Sequence, residues 1–217
     1  MGRLLRLGRF TDRDEAGHLL GESLGERDWA EPVVLGLARG GVPVAAGVAD
    51  ELRAPLDVLV VRKIGAPGQP EFGLGAVTAD GVYLYDNASL TALGLSQQDL
   101  RSTHERERQE AGRRMLAYRG EDSPPAVRGR DVLVIDDGLA TGVTAAVAVR
   151  SLRAAEAARV VVAAPVGAPS AIARLTEADE VHCLLEPDRF RAVGEWYRDF
   201  AQVSDEEVRK YLTRTRA

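Results

Sequence analysis

The amino-acid sequence predicts an α/β fold: a doubly wound, mostly parallel sheet of five strands with helices on both faces. Two observations lead to this prediction. Five short apolar runs recur along the chain, and each has the length and continuity of a buried parallel strand. Helical segments separate most of these runs, and alternation of strands with helices is typical of a parallel sheet. The 217 residues suffice for one domain, which we expect to span residues 1–217.

The N-terminal elements are a predicted helix and a βαβ unit. Residues 12–25 carry alanine and leucine at helical spacing, with Asp12 as a candidate cap. Residues 33–37 and 57–61 are apolar and predict two buried strands. Between them, a glycine turn leads into a predicted helix at residues 42–52, whose proline falls in the first turn, where proline is tolerated. The crossover between the two strands should be right-handed.

Residues 65–129 are interpreted as an insertion between the second and third strands. Their first part, residues 65–75, is rich in glycine and proline and predicts a loop. An Asp-Gly pair then marks the turn of a hairpin expected at residues 75–85. Residues 96–118 are highly charged, which predicts a long helix with a solvated surface.

The alternating pattern resumes after the insertion and completes the sheet. Short apolar runs predict strands at residues 132–135, 159–164 and 181–185. Residues 142–155, which are rich in alanine and valine, and the shorter segment 170–175 predict the helices between these strands.

Composition and charge exclude several classes of function. The net charge is -5 and no long basic run occurs, so the electrostatic footprint of a nucleic-acid-binding protein is missing. The single cysteine, Cys183, excludes an intrachain disulfide and a zinc site built from several cysteines. No apolar stretch approaches the ~20 residues of a membrane span, and the N-terminus lacks the apolar core of a signal peptide. We therefore expect a cytoplasmic protein without a nucleic-acid or membrane partner.

The junction between the third strand and its helix, residues 132–144, carries the chemistry. The strand ends in two carboxylates, and a loop of small residues and two threonines precedes the helix. Open α/β sheets bind ligands at the carboxyl ends of their strands, and a helix N-terminus attracts phosphate. Because carboxylates repel phosphate, they are expected to meet sugar hydroxyls or a divalent cation instead. The pattern therefore predicts a site for a ribose phosphate.

Three competing roles for the acid pair fit the sequence less well. Receiver domains and haloacid-type phosphatases also end a strand in aspartate, but they lack a Thr-Gly-x-Thr loop directly after it. The sequence contains no P-loop string of glycine, four residues and Gly-Lys-Ser/Thr. A purely structural junction would not favour two adjacent carboxylates, which are costly to bury unless they are paired or hydrated.

The junction resembles the phosphoribosyl-pyrophosphate (PRPP) motif of type I phosphoribosyltransferases, in which a hydrophobic strand, two acids and a Thr-Gly-x-Thr loop follow one another. The resemblance implies the fold of that family, with the acids on the ribose hydroxyls and the loop around the 5-phosphate. It also implies Mg²⁺ as a cofactor, which Asp136 and Asp137 would hold directly or through ribose or water. The residues implied in PRPP binding are Asp136, Asp137, Gly138, Leu139, Ala140, Thr141, Gly142, Val143 and Thr144.

Basic residues at two other strand ends extend the resemblance. The turn after the first strand is similar to the family's pyrophosphate loop and comprises Ala38, Arg39, Gly40 and Gly41. The pair after the second strand resembles the basic site that precedes the family's mobile catalytic loop, whose place the insertion takes. The catalytic residues implied are Arg39, Arg62 and Lys63. From the residues alone, each of these cations could equally be a solvated surface charge.

The implied reaction displaces pyrophosphate from ribose C1 by a nitrogen nucleophile, usually of a nucleobase, without a covalent enzyme intermediate. The acceptor is expected in a small C-terminal hood at residues 165–200. There Phe190, Trp196 and Tyr197 could stack on a base, or could pack the C-terminal segment onto the core. Family members that use 6-oxopurines carry an acid where this sequence has Ala140, which argues against hypoxanthine or guanine.

Residues 190–200, together with residues 65–68, resemble a bacterial subgroup of phosphoribosyltransferases with an unsettled substrate, so the resemblance covers nearly the whole chain. Two alternatives remain open. The chain could be a ligand-sensing regulator that keeps the phosphate loop without turnover, or a magnesium-dependent phosphohydrolase that releases inorganic phosphate. The expected partners are PRPP, a small nitrogenous acceptor and a second copy of the chain, because the homodimer is the commonest assembly.

Overall fold

The structure is a computed structural model that describes residues 8–120 and 124–214. In chain order, the helices and strands of these ranges are α1 (Arg13–Gly25), β1 (Val33–Leu37), α2 (Gly41–Leu52), β2 (Leu56–Leu59), β3 (Val61–Ala66), β4 (Gln69–Thr78), β5 (Tyr83–Tyr85), α3 (Asn87–Ala92), α4 (Arg101–Arg119), β6 (Asp131–Ile135), α5 (Val143–Ala154), β7 (Arg159–Val166), α6 (Pro169–Arg174), β8 (Glu180–Leu185) and α7 (Asp205–Arg214).

The core of the fold is a five-stranded parallel sheet, which confirms the predicted fold class. Its strand order is β2-β1-β6-β7-β8, and every neighbouring pair is parallel. The sheet therefore places β1 next to β6, although β2 and the whole insertion lie between them in the chain. All five strands were expected from short apolar runs. The prediction of the second strand at residues 57–61 is wrong at its end, because β2 ends at Leu59 and Val61 begins β3 of the antiparallel sheet.

Side chains of β1 point alternately to the two faces of the sheet, as the period of a strand requires. Val34 packs in a cluster with Leu20 of α1 and Val48 of α2. Leu35 packs in a second cluster with Val147 of α5, on the other face. Helices thus cover both faces, which explains why these strands are continuously apolar rather than alternating.

The insertion contains a second, antiparallel sheet in the order β3-β4-β5, so the loop predicted at residues 65–75 is wrong. Glycine within a strand often marks a bulge or a close approach rather than a loop. Here the strand register shifts on both sides of Gly65. At Gly73, an added Cβ would lie 2.8 Å from the side chain of Lys63. The hairpin expected at residues 75–85 is confirmed as the β4–β5 pair.

The charged segment of the insertion forms a 3-10 turn followed by the long helix α4. The helix is not solvated on every side, since Ala111 and Tyr118 are buried. The antiparallel sheet has a small core of its own, which includes Ile64, Leu74 and Leu100. The insertion is therefore folded, and its apolar face was not expected because buried positions are sparse among the charged ones.

Two side-chain contacts fasten the insertion to the main sheet and its helices. Arg119 at the end of α4 donates hydrogen bonds to the buried carboxylate of Asp57, from Nε at 2.8 Å and Nη2 at 2.6 Å. Ser151 of α5 donates to Asp80 at 2.7 Å. These contacts hold the antiparallel sheet beside α5 and the loop that precedes it.

The last described helix, α7, was not predicted from the sequence. Only two of its residues, Val208 and Leu212, are buried, and they pack against the α1–α2 side of the core. Their spacing of four is helical, but two apolar residues in a highly charged segment are too few for a prediction.

Within residues 8–120 and 124–214, no helix combines the length and apolarity that a membrane span requires.

Candidate functional site

The loops that follow β1 and β6 meet at the carboxyl edge of the parallel sheet. Glycine is required at the contact because the first loop lies against both the backbone and the Asp137 side chain of the second. A Cβ at Gly40 would collide with the Oδ2 atom of Asp137, and a Cβ at Gly41 would collide with the carbonyl oxygen of Ile135. The predicted pyrophosphate loop and the predicted acid pair are thus direct neighbours.

Asp137 is held by an arginine that no sequence motif indicated. The Nε and Nη2 atoms of Arg13, at the start of α1, each lie 2.8 Å from the Oδ2 atom of Asp137. Arg13 also donates to the carbonyl oxygen of Ala201 at 2.8 Å, and its guanidinium lies 3.8 Å from the centroid of the Phe200 ring. These contacts fix the guanidinium, which in turn fixes the carboxylate.

Two further hydrogen bonds order the acid pair. The Asp137 backbone N–H donates to Oδ1 of Asp136 at 2.9 Å. The hydroxyl of Tyr197 donates to the Asp137 carbonyl oxygen at 2.7 Å. Side chain and backbone of this junction are therefore oriented before any ligand arrives.

The acid pair is electrostatically strained. Burial raises the pKa of Asp136 well above its ordinary value, and the charge of Asp137 raises it further. Burial also raises the pKa of Asp137, although the positive charge of Arg13 opposes the rise. A partly buried pair of carboxylates is relieved by hydroxyl donors or by a cation, which is what a ribose with a divalent ion supplies.

Replacing Asp136 with Asn is expected to stabilise the folded protein, and the gain should grow with pH. A carboxyl whose folded pKa is raised binds more protons when folded, so stability falls as pH rises above the unfolded value of ~3.9. The amide has no such penalty and keeps an oxygen for the Asp137 N–H. Thermal unfolding at pH 4 and pH 8 tests this. An Asp136→Asn variant that melted below the parent at pH 8 would contradict the assigned strain.

The loop between the acid pair and α5 has the shape of an anion cradle. Leu139 fixes it to the next strand, with its N–H bonded to the Val166 carbonyl at 2.9 Å and its carbonyl bonded to the Ala168 N–H at 2.8 Å. Gly142, with a φ of +73°, turns the chain into α5, where an added Cβ would lie 2.8 Å from the Ala171 carbonyl oxygen. No side chain caps this helix. Its first N–H groups suit a phosphate.

A cavity of about 350 Å³ adjoins this loop and brings the insertion to the site. The loop contributes Thr141 and Thr144, and the antiparallel sheet contributes Lys63 of β3 and Tyr85 of β5. Arg174, at the end of α6, adds a second basic side chain that was not among the expected site residues. Asp86 also lines the cavity and offsets part of the charge of Arg174, so the two cations and the hydroxyls leave a cavity with a small excess of positive charge.

The three cations predicted to be catalytic lie in different surroundings. The Nη1 atom of Arg39, in the loop after β1, is 3.6 Å from the Oδ1 atom of Asp205. Arg62 lies in β3 and donates to Glu107 of α4 from Nε at 3.0 Å and Nη2 at 2.8 Å. Lys63 lines the cavity beside the loop that precedes α5. Both β3 residues therefore belong to the antiparallel sheet and not to the end of the second parallel strand.

The three aromatic residues assigned to the hood differ in exposure. Tyr197 is 2% exposed and packs against Phe10, so its ring has no free face for a ligand. Phe190 is half-buried against the α5 side of the core. Trp196 is half-buried, and its indole N–H is a buried donor without a hydrogen-bond partner.

Cys183 lies in β8, where burial raises the pKa of its thiol to about 12, so it is a poor nucleophile.

Comparison with known proteins agrees with this geometry. The profile of the phosphoribosyl transferase domain matches residues 12–194. Two Mycobacterium tuberculosis proteins, from strains CDC 1551 and H37Rv, are each 44% identical over 207 residues, or 94% of the chain, and both carry the provisional name phosphoribosyl transferase. The chain spans 46% of the length of each of these relatives.

Solved structures show the same likeness. The crystal structure of TT1426 from Thermus thermophilus is 44% identical, has a TM-score of 0.80 and aligns over 95% of this chain and 98% of its own. A hypothetical protein from Neisseria gonorrhoeae, solved with bound ppGpp, shares the fold alone, at 14% identity and a TM-score of 0.52 over 95% of each chain. Because the family profile covers most of the sequence, including both loops of the site, the chain belongs to the phosphoribosyl transferase family.

Proposed function

We propose that the chain transfers the 5-phosphoribosyl group of PRPP to a nitrogenous acceptor and releases pyrophosphate. The observation that carries this proposal is the oriented acid pair, Asp136 and Asp137, which one short loop separates from the N-terminus of a helix without a side-chain cap. Carboxylates accept hydrogen bonds from sugar hydroxyls, whereas backbone N–H groups of a helix N-terminus bind phosphate. Their order along the chain matches a ribose with a phosphate on its 5-oxygen.

Binding of the 5-phosphate is assigned to residues 138–144 of the phosphate loop. The hydroxyls of Thr141 and Thr144 supplement the backbone N–H groups, and Arg174 and Lys63 of the adjoining cavity add positive charge. Hydrogen bonds between charged groups are stronger than those between neutral ones. The phosphate would therefore anchor the sugar at one end while the acid pair orients its hydroxyls.

Mg²⁺ fits the site as an ion shared between protein and substrate. Within the described residues, no group of three or more His, Cys, Asp or Glu side chains comes together as a metal site. The acid pair alone suits Mg²⁺, which proteins usually hold through one or two carboxylates together with substrate phosphates. When bound, the ion would neutralise charge on the leaving diphosphate.

The proposed reaction needs positioning rather than a covalent nucleophile. The bond between C1 of the ribose and the diphosphate breaks as the acceptor nitrogen attacks, through an oxocarbenium-like transition state. The acid pair, which would accept hydrogen bonds from the ribose hydroxyls, would stabilise the positive charge that develops on the sugar in the transition state. Arg39, whose contact with Asp205 is long and partly solvated, would turn to the leaving diphosphate beside Gly40 and Gly41.

The acceptor is assigned to the side of the acid pair that faces the C-terminal segment. Trp196 is the strongest candidate for contact, because its buried indole N–H lacks a partner and a ligand oxygen or nitrogen could supply one. Phe190 could add an apolar surface for the acceptor. Tyr197 would not contact the acceptor, but its hydroxyl holds the backbone of Asp137 in place. Ala140 offers no acid to act as a base, which favours acceptors other than hypoxanthine and guanine.

A panel of nucleobases and small amines, incubated with the protein, PRPP and Mg²⁺, tests this proposal. Formation of pyrophosphate in equal amount to a ribosylated product is expected with at least one acceptor. Release of inorganic phosphate without a ribosylated product would instead identify a phosphohydrolase. PRPP binding without turnover on any acceptor would favour a ligand-sensing regulator.

A further inference from the structure

The insertion contains a second cavity, of about 490 Å³, which shares Tyr85 with the cavity beside the phosphate loop. Tyr83 and Tyr85 of β5 form one wall. Gln98, Arg101 and His104, from the start of α4 and the turn before it, form the other. The volume is within the range of small-molecule sites, which is roughly 300–1,000 Å³.

Three rings are fixed against one another in this cavity. The hydroxyl of Tyr85 lies 2.9 Å from Nδ1 of His104, and the Tyr83 ring centroid lies 5.0 Å from that of His104 in an edge-to-face arrangement. Tyr85 is 9% exposed, but Tyr83 is 46% exposed. Packing of the insertion accounts for Tyr85, whereas nearly half of the Tyr83 side chain remains exposed although its ring contacts both Tyr85 and His104. A partly exposed ring that is held by neighbouring rings offers a surface on which a planar ligand can stack.

Polar groups surround the open ring. The amides of Gln97 and Gln98 are exposed and carry both donors and acceptors. Arg101 is exposed, and no ion pair involves it within the described ranges. The carboxylate of Glu105, which also lines the cavity, accepts hydrogen bonds from Arg108 and Gln109 and is thereby compensated.

We propose that this cavity is a nucleotide-binding site in the insertion, distinct from the PRPP site. A planar nitrogenous ring stacks on the exposed part of Tyr83, with His104 beside it. The amides of Gln97 and Gln98 bond the edge of the ring, as glutamine does with adenine. Arg101 binds the phosphate. The ligand class is a nucleoside monophosphate, because the cavity combines a stacking ring, amides and a cation.

The test must separate this site from the PRPP site, which could also bind a nucleoside monophosphate. Calorimetric titrations with AMP, GMP, CMP and UMP are therefore made on the Asp136→Asn/Asp137→Asn variant, whose ribose site is disabled. We expect saturable binding of at least one of the four. Adding Tyr83→Ala should weaken that binding about 5- to 150-fold, since stacking of a base on an aromatic side chain contributes ~1–3 kcal/mol.

Phe72→Ala is the matched control, because Phe72 is in the same insertion, is 45% exposed and does not line the cavity. It should leave the affinity unchanged. Arg101→Gln should weaken binding of the monophosphate but not of the corresponding nucleoside. Absence of binding by all four nucleotides, or equal effects of Tyr83→Ala and Phe72→Ala, would overturn the proposal. Neither result depends on whether the parent protein binds PRPP. The test can therefore contradict the nucleotide site without contradicting the proposed phosphoribosyl transfer.

Discussion

Replacing both Asp136 and Asp137 with Asn is expected to weaken PRPP binding at least about 100-fold while leaving the fold intact. Each substitution would replace a charged hydrogen bond from a sugar hydroxyl to a carboxylate with a neutral one. A hydrogen bond to a charged group contributes ~1.5–3 kcal/mol to binding. The loss of two such hydrogen bonds would weaken PRPP affinity about 100-fold or more. Asn preserves the shape of the side chain, so packing at the sheet edge should not change. Calorimetric titration of the variant with PRPP measures the effect.

Asp28→Asn is the control for this pair. Asp28 is exposed in the segment before β1, at the opposite edge of the parallel sheet from the candidate site. Its replacement should not alter PRPP affinity, while thermal unfolding of all variants reports on the fold. If the double variant bound PRPP as tightly as the parent, the acid pair could not be the ribose site.

Replacing Arg13 with Met is expected to weaken PRPP binding about tenfold or more and to lower the free energy of unfolding by roughly 2–3 kcal/mol. Asp137 would lose both N–H donors and remain partly buried without its cation. Its carboxylate would then be free to rotate away from the ribose, and burial would favour the protonated form. Titration with PRPP and chemical denaturation measure the two losses.

Two substitutions distinguish orientation of Asp137 from a general effect of charge. Arg13→Lys keeps the charge but not the two-pronged guanidinium, so it should restore part of the stability and less of the PRPP affinity. Arg9→Met removes an exposed arginine from the same N-terminal segment and should change neither. PRPP affinity that survived Arg13→Met would show that Asp137 is positioned without the arginine.

The strands of the parallel sheet were predictable because burial on both faces makes their sequences continuously apolar. The junction of Asp136 and Asp137 could be singled out from the sequence because two carboxylates directly after such a strand are costly to bury unless they are paired or hydrated. Both features depend on residues close together in sequence. Local patterns therefore predicted the fold class, which is confirmed, and a position for the ribose phosphate, which stays a prediction.

Contacts between distant residues were not predictable. Arg13 and Asp137 are 124 positions apart, and no local pattern distinguishes Arg13 from its charged neighbours in α1. The burial of Tyr197 behind the acid pair also arises only from tertiary packing. In the insertion, glycines that permit bulges and close contacts between strands were interpreted as a loop. The Asp-Gly turn nevertheless predicted the β4–β5 hairpin correctly.

Calorimetric titration of the parent protein with PRPP, in the presence and absence of Mg²⁺, tests the central claim most directly. The proposed site predicts saturable binding with a stoichiometry of one per chain, which Mg²⁺ strengthens because the acid pair and the diphosphate are both negative. Absence of binding in both conditions would contradict the claim. The chain would then be a member of the family whose acid pair and phosphate loop serve another ligand.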